Sequence, residues 1–180
     1  MQRVLRDAAL RVGRFRDGVS GVMRFSYRCS QCGAEYEITP DRLLCDRCSA
    51  EQTDDEPLRG ILEVAISGRP AADWTVHDLL PVEPQWFPPI PVGNTPLWEP
   101  ERLRRRSGFP RLFLKDDSCN PTGSLKDRAS YLVAAFARRE GVERIVVSST
   151  GNAGSSMCGI GAAAGVPVRL YLPASAPAAK

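Results

Sequence analysis

Residues 144–172 read RIVVSSTGNAGSSMCGIGAAAGVPVRLYL, and this stretch decides the fold of the chain. Two apolar runs, residues 144–148 and 168–172, predict strands. The small-residue run 152–164 between them predicts a helix that ends at Gly165. Apolar strands that are joined by a helix are typical of a parallel sheet buried on both faces. The stretch therefore predicts one strand–helix–strand unit.

The residues before this unit repeat the same alternation. Residues 111–115 (RLFLK) predict a strand, and residues 124–139 have apolar side chains at helical spacing, with Gly141 closing the helix. The order strand–helix–strand–helix–strand, with short connections, indicates an α/β fold with a parallel sheet covered by helices. Three strands would leave sheet edges and one face uncovered, so we expect the chain to be a fragment or to need a partner segment.

A lysine stands at the start of the first of these helices, in the motif NPTGSLKDRA of residues 120–129. Asn-Pro and Thr-Gly mark a turn, Ser124 can cap the helix, and Lys126 then lies in the first helical turn. The positive end of the helix dipole disfavours a charged amine there, and imine formation requires a neutral amine. The motif alone leaves two interpretations open: a lysine that forms an imine and an ordinary exposed lysine.

The second motif, SSTGNAGSS of residues 148–156, lies at a junction between strand and helix. Backbone N–H groups at a helix start, together with hydroxyl groups, form a cradle for an anion. Gly151 and Gly154 let the backbone approach a ligand closely. Such a loop suits a carboxylate or a phosphate. A helix start made of small residues only for close packing is the alternative.

Taken together, PTGSLKDR, SSTGNAGSS and the upstream PVGNTPL of residues 91–97 resemble the motifs of fold-type II pyridoxal-phosphate enzymes, and within them those of threonine synthase. The resemblance extends from residue 91 to residue 180. It implies the tryptophan synthase β-like fold, a three-layer parallel sheet, of which residues 93–180 would form the N-terminal, incomplete part. The family's glycine-rich loop for the cofactor phosphate would then lie beyond residue 180.

The resemblance also implies roles for individual residues. Lys126 is the expected catalytic residue, which binds pyridoxal 5'-phosphate as an imine and later shuttles protons. Asn152 is expected to hydrogen-bond the phenolic oxygen of this cofactor. The expected substrate-binding residues are those of the carboxylate loop and one upstream threonine: Ser149, Thr150, Gly151, Ala153 and Thr95.

Four of the six cysteines form two close pairs, Cys29 with Cys32 and Cys45 with Cys48. Two Cys-x-x-Cys turns can aim four thiolates at one point, and a tetrahedral set of four sulfurs suits zinc. We therefore predict a small structural zinc ribbon over residues 23–50, a module that some threonine-synthase-like chains also have. Buried or redox-active cysteines, or a degenerate ribbon that recruits a partner protein, are the alternatives.

The rest of the chain is divided around these motifs. Residues 1–22 are expected to be a weakly ordered lead, with Met23 as an alternative native start. Residues 51–92 become rich in proline and are expected to form an extended connector. Residues 93–180 are expected to be the cofactor-binding domain.

The composition limits which partners and which location we expect for the protein. The formal net charge of +3 is small and evenly spread, and no apolar run reaches the about 20 residues of a membrane span. We therefore expect no nucleic acid and no membrane as partner. The N-terminus has no apolar segment of the kind a secretory signal needs, which favours the cytoplasm. The expected partner is a small-molecule amino-acid substrate, with a homodimer for a full-length protein.

The resemblance implies one reaction and leaves others open. It implies the conversion of O-phospho-L-homoserine and water to L-threonine and phosphate. Related chains with the same motifs are β-replacement enzymes, such as cysteate or cysteine synthases, or threonine and serine dehydratases. A further alternative is an inactive, truncated remnant with a zinc-binding module.

Overall fold

The computed structural model describes residues 23–176. The chain divides into two compact units, Met1–Pro81 and Val82–Lys180, and each is described by itself. The lead predicted over residues 1–22 lies outside the described residues. Within residues 23–176, no helix is long and apolar enough to cross a membrane.

The first unit is built on a three-stranded antiparallel sheet with the strand order β2–β1–β3. Strand β1 is Met23–Cys29, β2 is Glu35–Tyr36 and β3 is Leu62–Gly68. Strand β1 pairs along its whole length with β3, so that Cys29 lies opposite Leu62. A short helix, α1 (Asp46–Ser49), contains the last of the four paired cysteines.

Strand β3 lies in the stretch that the sequence predicts as an extended connector. Its sequence, LEVAISG, alternates between branched apolar residues and small or polar ones, and this period of two favours a strand. Pro57 and Pro70 flank the strand and do not interrupt it. The sheet that holds the cysteines therefore extends well beyond residue 50.

The second unit has a mixed α/β architecture. Its helices are α2 (Glu101–Ser107), α3 (Lys126–Arg139) and α4 (Asn152–Ala164), and its strands are β4 (Leu97–Trp98), β5 (Leu114–Lys115), β6 (Ile145–Ser148) and β7 (Val168–Tyr171). Strands β6 and β7 form a parallel pair, and β4 and β5 form an antiparallel pair. The parallel pair with its connecting helix α4 is the unit predicted from residues 144–172. Helix α4 has the predicted bounds and ends before Gly165, whose φ is 70°.

The strand predicted over residues 111–115 differs from the observed one. Only Leu114–Lys115 is paired, and it pairs with β4 rather than with the parallel strands. Pro110 has no N–H to donate, and the Leu112 N–H is used in a turn, where it donates to the Phe109 carbonyl (3.3 Å). Among the described residues the parallel sheet therefore has two strands, and the complete three-layer sheet implied by the resemblance is not shown.

The core of the second unit lies between α3, α4 and one face of the β6–β7 pair. Ala134, Met157 and Ile160 are buried at its centre, and partly buried Val147 and Val168 pack against them. A side chain at Gly161 would overlap Val168, so glycine lets α4 lie close to β7. This close packing fixes α4 against the parallel strands.

Candidate cofactor and metal sites

Helices α3 and α4 pack against each other. The hydroxyl of Ser156 in α4 donates to that of Ser130 in α3 over 2.7 Å, and both side chains are buried. Ala134 of α3 and Ile160 of α4 are buried in the same apolar core. The polar and the apolar contacts thus both join these two helices.

The two predicted cofactor residues are the first residues of these two helices, Lys126 of α3 and Asn152 of α4. Lys126 precedes Ser130 by one helical turn, and Asn152 precedes Ser156 by one turn, each on the same face as its partner. Both Lys126 and Asn152 are exposed. No hydrogen bond or ion pair of the Lys126 side chain is found within residues 23–176. The amine is therefore accessible to a ligand from solvent.

The loop before α4 presents free backbone donors. The hydroxyl of Ser149 accepts the Gly151 N–H (3.2 Å), and the Gly151 carbonyl accepts the Gly154 N–H (3.0 Å). In the part of the chain that the structure describes, no backbone acceptor takes the N–H of Asn152 or Ala153. Open N–H groups at the positive end of a helix suit an anion. The predicted carboxylate loop thus runs from the half-buried Ser149 and Thr150 to the exposed Gly151. It continues into the exposed first two residues of α4, Asn152 and Ala153.

Gly154 is required by the shape of this loop. A Cβ at this position would stand 2.7 Å from the Ser149 carbonyl oxygen and 3.0 Å from Leu170 Cδ1. By contrast, nothing lies within 4 Å of a Cβ built on Gly151, which is on the open side. The loop is therefore tight toward the protein and open toward solvent, as a ligand cradle must be.

The turn before Lys126 is held by its own side chains. Helix α3 begins at Lys126, two residues later than the sequence predicts, and the Ser124 hydroxyl accepts the Lys126 N–H (3.1 Å). Asp127 is fully buried and accepts from both the N–H (2.7 Å) and the hydroxyl (2.5 Å) of Thr122. In the sequence, the signal for this bond is the threonine of a Thr-Gly turn that is followed five residues later by an aspartate.

Thr95, predicted to bind substrate, lies in a polar cluster with an ion pair. Its hydroxyl donates to Asp117 Oδ1 (2.7 Å), and its side chain is only 4% exposed. Arg128 donates two hydrogen bonds to Asp117, at 2.9 Å from Nε and 2.7 Å from Nη2, and a third to the Thr95 hydroxyl (3.3 Å). The guanidinium of Arg128 and the hydroxyl of Thr95 hold the pKa of Asp117 well below its usual range. Thr95 is thus tied to the segment after Lys126, and its substrate role stays a prediction.

A second bond joins the same two segments. The Asn120 side-chain carbonyl accepts the N–H of Gly93 (2.9 Å). Gly93 has a φ of 80°, and a Cβ there would stand 3.0 Å from Arg128. The motif PVGNTPL therefore packs against the motif NPTGSLKDR. Sequence analysis found both motifs, but it did not assign Asp117 or Asn120 to the contact between them, because neither spacing nor periodicity pairs them.

The four paired cysteines converge in the first unit. Their sulfur atoms all lie within 4.8 Å of one another, with Cys29 and Cys48 at 3.8 Å and Cys32 and Cys45 at 3.6 Å. Four sulfurs bound tetrahedrally to zinc at about 2.3 Å would lie about 3.8 Å apart. The cluster therefore has the dimensions of a four-thiolate zinc site.

Residues around the cysteines shape this cluster. The hydroxyl of Tyr36 lies 3.0 Å from Cys45 Sγ, and this hydrogen bond is the main reason that the pKa of Cys45 falls to about 6. Gln31 accepts the N–H of Gly60 (2.6 Å), and the Gly60 carbonyl accepts the N–H of Cys45 (2.8 Å). Gly60, just before β3, thus contacts both cysteine turns, which the predicted bounds of the ribbon did not include.

Comparison with known proteins identifies the class. Residues 90–180, about half of the chain, match the family described as "Pyridoxal-phosphate dependent enzyme". The chain belongs to this family. The match includes the Lys126 turn, the Ser149–Ala153 loop and both parallel strands.

More specific similarity is found to threonine synthases. The chain is 32% identical over 155 residues to the threonine synthase of Methanosarcina acetivorans and 29% identical over 150 residues to that of Methanocaldococcus jannaschii. These matches cover 83% and 81% of this chain, and 37% of each archaeal protein. The threonine synthase of Halalkalibacterium halodurans is 38% identical over 81 residues, which is 45% of this chain and 23% of that protein. The chain thus spans little more than a third of the length of the archaeal relatives.

Proposed function

We propose that the protein is a threonine-synthase-like enzyme, which converts O-phospho-L-homoserine and water to L-threonine and phosphate. The observation that supports this most directly is that Lys126 and Asn152 begin two helices that pack on each other and are joined by the buried Ser130–Ser156 hydrogen bond. The similarity to threonine synthases over four fifths of the chain favours this substrate among those of the family. The homodimer and the cytoplasmic location favoured by the sequence stay predictions.

The residues present fit pyridoxal 5'-phosphate, which when bound supplies an electron sink for negative charge at the substrate's α-carbon. Lys126 has an accessible amine that would hold the cofactor covalently and, once released, would take the α-proton of the substrate. The side-chain amide of Asn152 would hold the cofactor through a hydrogen bond to its phenolic oxygen. Ser149, Thr150 and the open N–H groups at the start of α4 bind the substrate carboxylate.

The cysteine cluster has a structural role in this proposal. Four thiolates complete the tetrahedral coordination of zinc, and no position is left for a reacting water. The metal would join the Cys29 turn of the sheet to the Cys45 turn before α1. We therefore expect zinc to stabilise the first unit and to take no part in the reaction.

The reaction is tested with the complete natural gene product that contains these residues. We expect phosphate release from O-phospho-L-homoserine with equal formation of threonine, and loss of both in Lys126→Ala. Asp55→Asn, an exposed carboxylate in the other unit, is the control and should keep the wild-type rate. Ammonia and a 2-oxo acid formed from threonine would identify a dehydratase instead, and sulfur incorporation into an activated serine would identify a β-replacement enzyme. Turnover of none of these substrates would contradict the proposal.

A further inference from the structure

Asp127 is a buried carboxylate for which the proposed reaction has no use. Its side chain is 0% exposed. A buried carboxylate is costly unless its oxygens accept hydrogen bonds, and here one residue supplies a donor to each oxygen. The Thr122 N–H donates to Oδ2 (2.7 Å) and the Thr122 hydroxyl donates to Oδ1 (2.5 Å). The two bonds close the turn of residues 122–127 immediately around Lys126.

The same threonine also contacts the neighbouring helix. A Cβ built on Gly159 of α4 would stand 2.6 Å from Thr122 Cγ2, so the threonine methyl occupies the space that a side chain would need. The hydroxyl of Thr122 is therefore bound to α3 through Asp127, and its methyl is seated against α4. This contact joins the turn before α3 to α4 at a residue three positions after Ser156.

These contacts bear directly on the lysine. Lys126 and Asp127 are successive residues of α3, so their side chains leave the helix about 100° apart. Asp127 points into the protein and Lys126 is exposed. When Asp127 is held by Thr122, the rotation of the first turn of α3 is fixed, and with it the direction in which Lys126 leaves the helix.

We propose that Asp127 is a positioning residue, which acts through Thr122 to fix the direction in which the amine of Lys126 leaves the first turn of α3. The inference deepens the proposed function and rests on it, since the position matters only if Lys126 binds the cofactor. Misplacement of a reacting group by about 1 Å reduces rates strongly. The effect of losing Asp127 should therefore fall on the reactivity of Lys126 more than on the folding of the protein.

The test compares substitutions that separate the role of the Thr122 hydroxyl from that of its methyl group. Asp127→Asn keeps the shape but places an amide against the Thr122 donors. Thr122→Val keeps a methyl toward Gly159 and removes the hydroxyl, whereas Thr122→Ser keeps the hydroxyl. Two readouts are used: amide hydrogen exchange of residues 120–126 in cofactor-free protein, and the rate at which borohydride fixes a pyridoxyl group on Lys126, measured by peptide mass.

We expect faster exchange and labelling slowed by about tenfold or more in Asp127→Asn and Thr122→Val. Thr122→Ser should stay close to the wild type in both readouts. The control is Asp78→Asn, because the exposed Asp78 also accepts from the N–H (2.6 Å) and the hydroxyl (3.0 Å) of one threonine, Thr75, in the other unit. It should leave Lys126 labelling unchanged. Thermal unfolding of each variant reports its stability.

The outcomes separate this inference from the proposed function. If wild-type protein takes no pyridoxyl group on Lys126, the proposed function fails, while the hydrogen-exchange comparison still tests the turn. If the wild type is labelled and Asp127→Asn and Thr122→Val are labelled at the same rate, the positioning role is wrong, whatever their unfolding temperatures. If Asp127→Asn does not fold, Thr122→Val decides between these results.

Discussion

Gly60 illustrates how much of the metal site depends on one residue outside the cysteine motifs. Its φ is 76°, and a Cβ there would stand 3.1 Å from the carbonyl oxygen and 3.2 Å from the Cβ of Cys45. Its N–H and carbonyl bind Gln31 and Cys45, one residue from each cysteine turn. The position therefore demands glycine for both its backbone conformation and its lack of a side chain.

We predict that Gly60→Ala weakens zinc binding, because the methyl group displaces Cys45 from the cluster. Gly33→Ala is the matched control. Gly33 also has a positive φ, 71°, but nothing lies within 4 Å of its Cβ position, so only the backbone strain of about 1 kcal/mol remains. Chelator competition measures both affinities. Equal losses in the two variants would mean that the contact with Cys45 is unimportant.

For single residues, the sequence predicts chemical roles better than it predicts contacts. The four cysteines are recognisable because their spacing is restrictive, and Lys126 and Asn152 are recognisable because the motifs around them resemble those of a known family. The burial of Asp127 and the contacts of Gly60 are not recognisable in either way, because they depend on what lies against these residues. A buried aspartate and an exposed one look the same in a single sequence.

Helix α4 and strand β5 show where prediction of elements succeeds and where it ends. Both ends of α4 have local signals, small residues and glycine at the start and Gly165 at the end, so its bounds follow from the sequence. The partner of β5 has no local signal. Its pairing with β4 is decided by the turn at Pro110 and by contacts between distant segments, and the apolar pattern RLFLK cannot reveal this.

The polar cluster of Thr95, Asp117 and Arg128 should make the stability of the protein depend on pH. The pKa of Asp117 is lowered chiefly by its hydrogen bonds and ion pair with Arg128. A carboxylate with a lowered pKa in the folded state stabilises the protein fully above its unfolded pKa of about 3.9, and this contribution is lost as the pH falls toward the folded value.

We therefore predict that the free energy of unfolding falls between about pH 5 and about pH 2, and that Asp117→Asn flattens part of this fall. The variant should also be less stable at neutral pH, because Arg128 and Thr95 lose their charged partner. Chemical denaturation at several pH values measures both effects. Asp55→Asn is the control, and a pH profile of Asp117→Asn that coincides with its profile would refute the prediction.

For the whole molecule, the two units correspond to two kinds of inference. The cysteine spacing alone indicates a metal cluster, and the sulfur distances agree with it. The proposed cofactor site takes one residue from α3 and one from α4, and the sequence alone does not show that these two helices pack on each other. The match to the pyridoxal-phosphate family and the similarity to threonine synthases are consistent with the motifs that the sequence already contains.

The central claim is that Lys126 is the residue that binds the cofactor. The sequence has lysine only at positions 115, 126 and 180, so a peptide map can assign the attachment without ambiguity. Purified protein is incubated with pyridoxal 5'-phosphate, reduced with borohydride and digested. We predict a pyridoxyl group on Lys126, none on Lys115, whose amine donates to the Thr95 carbonyl, and no stable cofactor in Lys126→Ala. A pyridoxyl group found on Lys115 or Lys180, with undiminished cofactor binding in Lys126→Ala, would contradict the account.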